Sequence, residues 1–322
     1  MKRPVIFLVE SGGLCGGVRV IFEEAARLSQ RGWKVSIYSL DKPPAWFTLP
    51  TEVEWQRFPD YRHLQTVLIT EDGWKIATWW KTAQVLKDAL RGNEGLYLVQ
   101  DIETAYYSQP IMQELVMDTY GYPLRKYTTS RWVEENLPGV EYVGIGIDFE
   151  LYKQMHLKRN PKALMSVARA QRLKGLRQLG ELSRRLGPNY ELYTLGVAGA
   201  KLIGAWKRHY QGLSDHEVVR MYNEVSCFVS TTQHEGFNLC NLEAMACGAP
   251  VVTTNADGNM QYCRDGENCL VVDPLDMRGM AHAVRRMLSD KDLRAKCIAN
   301  GLETAKKYPW GPVIDRLEVL LA

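Results

Sequence analysis

Runs of apolar residues alternate with amphipathic stretches along most of the chain. The continuous apolar run Val5–Val9 is typical of a buried parallel strand. A glycine-containing loop follows it, then a helical pattern over residues 18–31 and a second apolar run over residues 35–40. Gly32 stands where a helix commonly ends in a left-handed residue. The pattern therefore predicts a β-α-β unit of the Rossmann type near the N-terminus.

A second strand-helix-strand pattern lies in the C-terminal half. Apolar, β-rich runs at residues 227–232 and 250–254 flank a loop and a helix predicted over residues 239–246, which a glycine and a proline terminate. The loop leads into the helix N-terminus, where backbone N–H groups and the helix dipole favour an anion. Glu235 and Glu243 frame this turn. Amide donors beside two carboxylates suit a ligand that has both phosphate and hydroxyl groups.

Length and composition narrow the class of protein. With 322 residues the chain is long enough for two domains, and its net charge of +3 is too small to indicate a nucleic-acid partner. Seven cysteines without a C-x-x-C pair favour reduced thiols and argue against a zinc site. The N-terminal apolar run is too short for a signal peptide, and no stretch approaches the ~20 apolar residues that span a bilayer. We expect a cytoplasmic protein without a metal site, whose membrane contact would be peripheral.

The segment that begins at Glu235 carries a family resemblance. It reads E-G-F-x-L-x-x-x-E-A-M-A-x-G-x-P-V-V, which resembles retaining, nucleotide-sugar-dependent glycosyltransferases of family four (glycosyltransferase group 1 type). The resemblance implies an α/β protein of the GT-B fold, in which two Rossmann-like domains face a central cleft. It places an acceptor-binding domain at residues 1–150, a nucleotide-sugar-binding domain at 151–305, and a helix that crosses back at 306–322. The alternative is an ordinary buried β-α-β unit with two surface acids.

The same resemblance assigns roles within the C-terminal half. It implies that Glu235 binds hydroxyls of the transferred sugar, that Glu243 binds the ribose hydroxyls, and that the amides after the glycine bind sugar or diphosphate oxygens. Those donor-binding backbone positions are Gly236, Phe237, Asn238 and Leu239. Asn238 stands where glycine is common, so it either adds a contact or tolerates the turn.

Two cations are expected opposite this turn. The segment A-R-A-Q-R-L-K-G-L resembles the family pattern G-R-x-x-x-x-K-G through Arg169 and Lys174. A diphosphate leaving group gains charge as the glycosidic bond breaks, so two cations aimed at it stabilise the transition state more than the ground state. Arg172 is expected to be solvated.

The N-terminal glycine loop admits two interpretations. Asp41 stands where a ribose-binding acid would end the second strand, but Leu14 occupies the second glycine position of the dinucleotide fingerprint, which is therefore broken. The resemblance implies instead that the loop approaches the donor phosphate and the acceptor. The residues assigned to it are Gly12, Gly13, Gly16 and Gly17.

Other candidates lie in the N-terminal half. The strand at residues 96–99 ends in Q-D-I-E, where relatives have a histidine-containing segment, and this variant resembles a rhamnosyltransferase-like branch. We expect Asp101 or Glu103 to line the cleft there, the alternative being a solvated strand end. Tryptophans between residues 42 and 82, such as Trp46 and Trp74, either pack the core or form an acceptor surface.

The sequence thus predicts a retaining glycosyltransferase. It would move a sugar from a nucleoside diphosphate sugar to a hydroxyl of a glycan, glycolipid or other acceptor, without a cofactor and without a nucleic-acid partner. Glu235, Arg169, Lys174 and Asp101 are the expected catalytic residues. A GT-B epimerase or phosphorylase and a non-catalytic nucleotide-sugar-binding module remain alternatives. His234 is the most suggestive histidine, although the resemblance does not require it and a structural role is preferred.

Overall fold

The chain forms two compact units, each built on one parallel sheet. The computed structural model describes residues 2–90, 92, 95–196 and 208–322. One unit comprises Met1–Ile145 and Gly311–Ala322, and the other comprises Gly146–Trp310. Every strand pair in both sheets is parallel. The predicted α/β class is therefore confirmed.

The first unit has the strand order β3-β2-β1-β4-β5-β6-β7. Its strands are β1 (Val5–Val9), β2 (Val35–Ser39), β3 (Glu54–Arg57), β4 (Trp74–Ala77), β5 (Gly95–Leu98), β6 (Arg125–Thr128) and β7 (Val140–Tyr142). Its helices are α1 (Gly16–Gln30), α2 (Tyr61–Leu68), α3 (Trp80–Ala89), α4 (Pro110–Tyr120) and α5 (Arg131–Asn136). Strand β1 is buried along its whole length because helices cover both faces of a central parallel strand.

The second unit has the strand order β10-β9-β8-β11-β12-β13. Its strands are β8 (Asn160–Ala168), β9 (Glu191–Gly196), β10 (Arg208–Tyr210), β11 (Val225–Val229), β12 (Val251–Thr254) and β13 (Leu270–Val272). Its helices are α6 (Leu176–Leu186), α7 (Asp215–Glu224), α8 (Leu239–Ala246), α9 (Met277–Ser289) and α10 (Lys291–Ala305). Leucine, methionine and valine side chains from α6 and α9 pack against the central strands to form its core.

A last helix, α11 (Trp310–Leu320), follows α10. From Gly311 onward its residues belong to the first unit. There Arg31 contacts Asp315 over 2.6 Å and Glu318 over 2.7 Å. The Trp33 indole N–H also donates to Glu318 over 2.6 Å. The bonds that Glu318 accepts from Lys2, Trp33 and Arg31 lower the pKa of its carboxyl to about 2.

Helix starts follow local capping signals. Helix α1 begins at Gly16, two residues before the predicted start, because Cys15 is an N-cap whose Sγ accepts from the Val18 N–H over 3.4 Å. Asp290 caps α10, and its carboxylate accepts from the Leu293 N–H over 3.0 Å. No helix in the described ranges is long and apolar enough to cross a membrane.

Candidate active site

The candidate site of the second unit lies where the order of strands along its sheet reverses. From β8 the chain builds β9 and β10 on one side and then places β11 on the other side of β8. Loops that leave the carboxyl ends of the two central strands at such a switch point diverge and create a crevice. The loops after β8 and β11 hold Lys174 and Glu235, so the topology brings together residues far apart in sequence.

Backbone contacts lock these two loops against each other. The Gln233 N–H donates to the Leu173 carbonyl over 2.8 Å. The Thr231 hydroxyl donates to the Gly175 carbonyl over 2.9 Å. Gly175 has a left-handed backbone with φ of 70°, and a Cβ there would lie 1.8 Å from the Thr231 carbonyl oxygen. Only glycine fits this position, which explains the Lys174-Gly175 pair of the sequence pattern.

The central feature is an ion pair between the loops. The Lys174 Nζ lies 2.9 Å from the Glu235 Oε2, and the two side chains are only 7% and 15% exposed. Lys174 also donates to the His234 carbonyl over 3.5 Å. A shielded pair of this kind is screened little by solvent. It holds the Glu235 carboxylate in one orientation beside the N-terminus of α8.

Asn238 forms the turn into α8. Its backbone is left-handed, with φ of 66° and ψ of 71°, and its side chain donates to the Ser230 hydroxyl over 3.1 Å instead of capping the helix. Asparagine is one of the few residues besides glycine that adopts this conformation readily. The adjacent Phe237 ring is buried against Tyr262 and Tyr308. Any contact of Phe237 with a ligand would therefore come from its backbone.

The thiol of Cys240, in the first turn of α8, is influenced by three charged side chains of the site. Burial raises the pKa of this thiol to about 12; the charges of Glu243 and Glu235 act in the same direction, and that of Arg169 acts in the opposite one. Sequence reasoning did not single out Cys240, and its neutral, small side chain gives no motif signal.

A tyrosine of α7 holds the Glu243 side chain in position. The Tyr222 hydroxyl donates to the Glu243 Oε2 over 3.1 Å, and both side chains are almost fully buried. Burial raises the pKa of the Tyr222 hydroxyl well above its ordinary value, so it acts as a donor. The helix that carries Tyr222 starts at a Ser214–Glu217 capping box.

The glycine loop lies in the first unit. The Gly12 carbonyl accepts from the Trp46 indole N–H over 2.8 Å, and the Gly17 carbonyl accepts from the Gln100 amide over 3.1 Å. Gly13 is exposed in the loop, and Gly16 opens α1. Asp41, the residue a dinucleotide site would use, accepts from the Ser11 hydroxyl over 3.1 Å. These contacts show a loop fixed by its own unit.

Asp101 and Glu103 are both buried, so a solvated strand end is wrong for either residue. The Glu103 carboxylate accepts from the Trp80 N–H over 3.0 Å and from the Tyr97 hydroxyl over 3.2 Å. Burial raises its pKa well above the ordinary value. Asp101 accepts from the Tyr106 hydroxyl. The other Asp101 carboxylate oxygen accepts from the Ile102 N–H over 2.8 Å. Both carboxylates are therefore bonded to polar groups of their own unit, and a role of Asp101 or Glu103 toward a ligand stays a prediction.

Aromatic residues between 42 and 82 combine packing with partial exposure. The half-buried Trp46 ring lies 5.6 Å from Phe22, and the Arg19 guanidinium lies 5.3 Å from the Trp46 ring centre. Trp74 belongs to β4 and is also half-buried. Within the described ranges, no group of three or more His, Cys, Asp or Glu side chains could hold a metal ion.

The second unit is similar to a known family. Residues 148–304 match the family described as glycosyl transferases group 1. A lipopolysaccharide core biosynthesis glycosyltransferase, LpsE of Rhizobium meliloti, is 34% identical over 110 residues, which are 34% of this chain and 30% of that protein. The chain spans 30% or less of the length of the curated relatives that it matches first. The family match lies within the second unit.

Solved structures extend the likeness to the whole chain. A sucrose-phosphate synthase from Thermosynechococcus elongatus has a TM-score of 0.82 at 17% identity, and the match covers 98% of both chains. HepE of Anabaena in complex with UDP-glucose has a TM-score of 0.82 at 16% identity and covers 99% of both. The chain has the GT-B fold.

Proposed function

We propose that this chain, whose residues 148–304 belong to the glycosyl transferases group 1 family, moves a sugar from a nucleoside diphosphate sugar to an acceptor hydroxyl with retention of configuration. The observation that carries the proposal is the shielded ion pair of Lys174 and Glu235 beside the N-terminus of α8. It places a cation, a carboxylate and backbone amides within one small region of the second unit.

The cations suit the departing diphosphate. Negative charge grows on the leaving group as the glycosidic bond breaks, and Lys174, Arg169 and the amides at the start of α8 would stabilise it. Each charge-assisted contact would contribute ~1.5–3 kcal/mol. Because Lys174 is fixed by its contacts with Glu235 and the His234 carbonyl, it needs little rearrangement when charge develops.

The carboxylates suit hydroxyl groups. Glu235 is oriented by Lys174, which fits a residue that accepts hydrogen bonds from the transferred sugar. Glu243 is oriented by Tyr222, which fits a residue that binds the ribose. Neither needs to attack the sugar, because the leaving diphosphate can take the acceptor proton on the same face as it departs. The donor would supply its own base, and no metal or cofactor enters the step.

The relatives guide the choice of substrates. HepE was solved with UDP-glucose, and LpsE is named for lipopolysaccharide core synthesis. We propose a nucleoside diphosphate hexose as the donor and a hydroxyl of a surface glycan or glycolipid as the acceptor. The Q-D-I-E segment adds dTDP-rhamnose to the candidates. A cytoplasmic location with peripheral membrane contact belongs to the same proposal, since a glycolipid acceptor would lie at a membrane surface.

A donor screen followed by product analysis tests the function. Thermal unfolding with UDP-, GDP-, ADP- and dTDP-sugars should identify one donor that raises the melting temperature, because a ligand of the native state stabilises it. Transfer to an acceptor with a retained anomeric configuration, read by NMR, is the expected result. An isomerised donor formed without acceptor would indicate an epimerase, and a requirement for inorganic phosphate would indicate a phosphorylase. Donor binding with neither hydrolysis nor transfer would indicate a binding module.

A further inference from the structure

The loop after β12 packs directly against the turn that carries Glu235. This loop reads N-A-D-G-N over residues 255–259. The Gly258 N–H donates to the Glu235 carbonyl over 2.9 Å. A Cβ on Gly258 would lie 1.8 Å from the Gly236 carbonyl oxygen and 2.8 Å from the Glu235 carbonyl oxygen. The two backbones are therefore in direct contact, and the loop limits where the Glu235-Gly236 turn can lie.

A side-chain bond runs beside this backbone contact. The His234 Nδ1 lies 2.6 Å from the Asp257 Oδ2. His234 precedes Glu235 in the chain, and Asp257 precedes Gly258, so the two links join the same pair of loops at adjacent positions. The His234 side chain is 11% exposed and that of Asp257 is 38% exposed. The His234–Asp257 pair links the turn to the loop after β12. Lys174, in the loop after β8, contacts the same turn through Glu235 and the His234 carbonyl.

The backbone of Asp257 has a conformation that glycine adopts most easily. Asp257 has a φ of 45°, in the left-handed region. Aspartate adopts this region more readily than most residues, but glycine adopts it without a steric cost. Local stability alone would therefore favour glycine at this position. The contact that a glycine could not make is the bond to His234.

We propose that His234 and Asp257 are positioning residues that fix the Glu235-Gly236 turn in the orientation that meets the sugar of the donor. The inference rests on the proposed function, because it concerns the same site. His234 and Asp257 act through Glu235 and Gly236. The His234–Asp257 pair takes no part in bond making. It affects how the site binds the sugar of the donor.

Asp257→Gly separates positioning from a purely structural role. Glycine accepts the left-handed backbone, so the variant should fold with a melting temperature equal to or above that of the wild type. Loss of the bond to His234 should weaken binding of UDP-glucose by about tenfold, whereas binding of UDP should stay unchanged, because a misplaced site loses its oriented contacts. If UDP-glucose is not the preferred donor, the donor identified in the screen is used in place of UDP-glucose, and its nucleoside diphosphate is used in place of UDP. Turnover should fall by a similar factor.

Further variants complete the test. His234→Ala should reproduce the loss, and the double variant should be no worse than the more affected single variant, because the two residues act as a unit. Asp257→Asn tolerates the backbone and can still accept from His234, so it should restore most of the donor affinity. His63→Ala removes a histidine–aspartate bond of 2.8 Å in the other unit and serves as the matched control, with no change expected.

Amide hydrogen exchange gives a readout that needs no donor. In Asp257→Gly and His234→Ala, amides of residues 234–238 should exchange faster than in the wild type, while the remainder of the second unit keeps its rates. Unchanged exchange in this segment, or an unchanged ratio of UDP-glucose to UDP affinity in a folded Asp257→Gly variant, would overturn the proposal. A wild-type protein that binds no nucleotide sugar would instead contradict the proposed function, and the exchange experiment would still decide whether the pair holds the turn.

Discussion

Lys174 and Glu235 form an ion pair of 2.9 Å although 61 positions separate them in the chain. Lys174 ends a short 3₁₀ turn, Arg172–Lys174, after β8, and Glu235 lies in the loop after β11. They meet because β8 and β11 are neighbours in the sheet and parallel strands deliver their following loops to the same edge. The order of the strands therefore brings the two residues together. Substitutions of Lys174 and Glu235 can test their chemical roles without changing the strands.

Replacement of Lys174 by methionine should reduce turnover strongly. The variant keeps the length of the side chain but removes the cation that would stabilise the leaving diphosphate, and a loss of about a hundredfold or more in kcat is expected. Glu235→Gln should also lower turnover, because the amide cannot accept from sugar hydroxyls at both positions. Initial rates at saturating donor are the measurement.

Arg172→Met is the matched control for this prediction. Arg172 is an exposed cation in the same loop, and its loss should change kcat by no more than about twofold, since exposed charges act weakly. Wild-type rates in Lys174→Met and Glu235→Gln together would contradict the assignment of the site.

Removal of the Tyr222 hydroxyl should weaken nucleotide binding. In Tyr222→Phe the Glu243 carboxylate loses a hydrogen bond of 3.1 Å and can turn away from a ribose. We expect the Kd for the nucleoside diphosphate to rise by about fivefold to tenfold, which corresponds to about 1 kcal/mol. Isothermal titration calorimetry measures the change.

Tyr193→Phe is the control for Tyr222. The Tyr193 hydroxyl donates to the Glu191 carboxylate over 2.7 Å near the edge of the sheet, so the same chemistry is removed outside the site and the Kd should stay constant. Equal affinities in Tyr222→Phe and the wild type would show that Glu243 is oriented without the tyrosine.

Local signals in the sequence were sufficient for much of the second unit. The helix predicted over residues 239–246 has the observed bounds, and Gly248 and Pro250 follow its C-terminal end. Ser214 and Asp290 give a different local signal, since each side chain accepts from the backbone N–H three residues later and starts a helix. The run at 227–232 was assigned too far along the chain; the strand is Val225–Val229, and the following threonines belong to the loop.

Contacts between distant residues could not be predicted in this way. Residues 42–82 contain the short strands β3 and β4 and the helices α2 and α3, whose alternation of apolar and polar residues is obscured by many aromatic residues and prolines. Arg159 lies just before β8, and nothing in the local sequence indicates that its guanidinium contacts four backbone carbonyls. Nor does anything in the local sequence mark Glu24 as buried, because the tyrosine that contacts it is 103 residues away.

Loss of Arg159 should destabilise the second unit. Its guanidinium donates to the carbonyls of Tyr222 and Val225 over 2.8 Å each, and to those of Cys247 and Gly248 over 3.0 and 2.7 Å. These carbonyls end α7 and α8, so Arg159→Met leaves helix C-termini without a donor. We expect the free energy of unfolding to fall by about 2–4 kcal/mol, as several hydrogen bonds to a charged group are lost.

Urea unfolding followed by tryptophan fluorescence measures this effect. The control is Arg220→Met, which removes an exposed ion pair with Glu224 at 2.7 Å and should change stability by less than about 1 kcal/mol. A similar small effect in Arg159→Met would show that water replaces the guanidinium at the helix ends.

Glu24 should make stability depend on pH. It lies on α1 with no exposed surface, its Oε2 accepts from the Tyr127 hydroxyl over 2.8 Å, and its Oε1 has no hydrogen-bond partner among the residues that the structure describes. Burial raises the pKa of this carboxyl from 4.5 to about 8, while the bond from Tyr127 acts in the opposite direction. The native chain therefore keeps a proton that the unfolded chain releases.

The direction in which stability changes with pH follows from this difference in bound protons. Between pH 4.5 and about 8 the unfolded state binds fewer protons at this site, so stability falls as pH rises through that range and levels off above it. The whole shift corresponds to about 5 kcal/mol as an upper bound. Glu24→Gln cannot ionise, so its free energy of unfolding should decrease less between pH 5 and pH 8 than that of the wild type. Glu114→Gln, an exposed change on α4, should follow the wild type, and the same behaviour in Glu24→Gln would show that Glu24 is ionised in the folded chain.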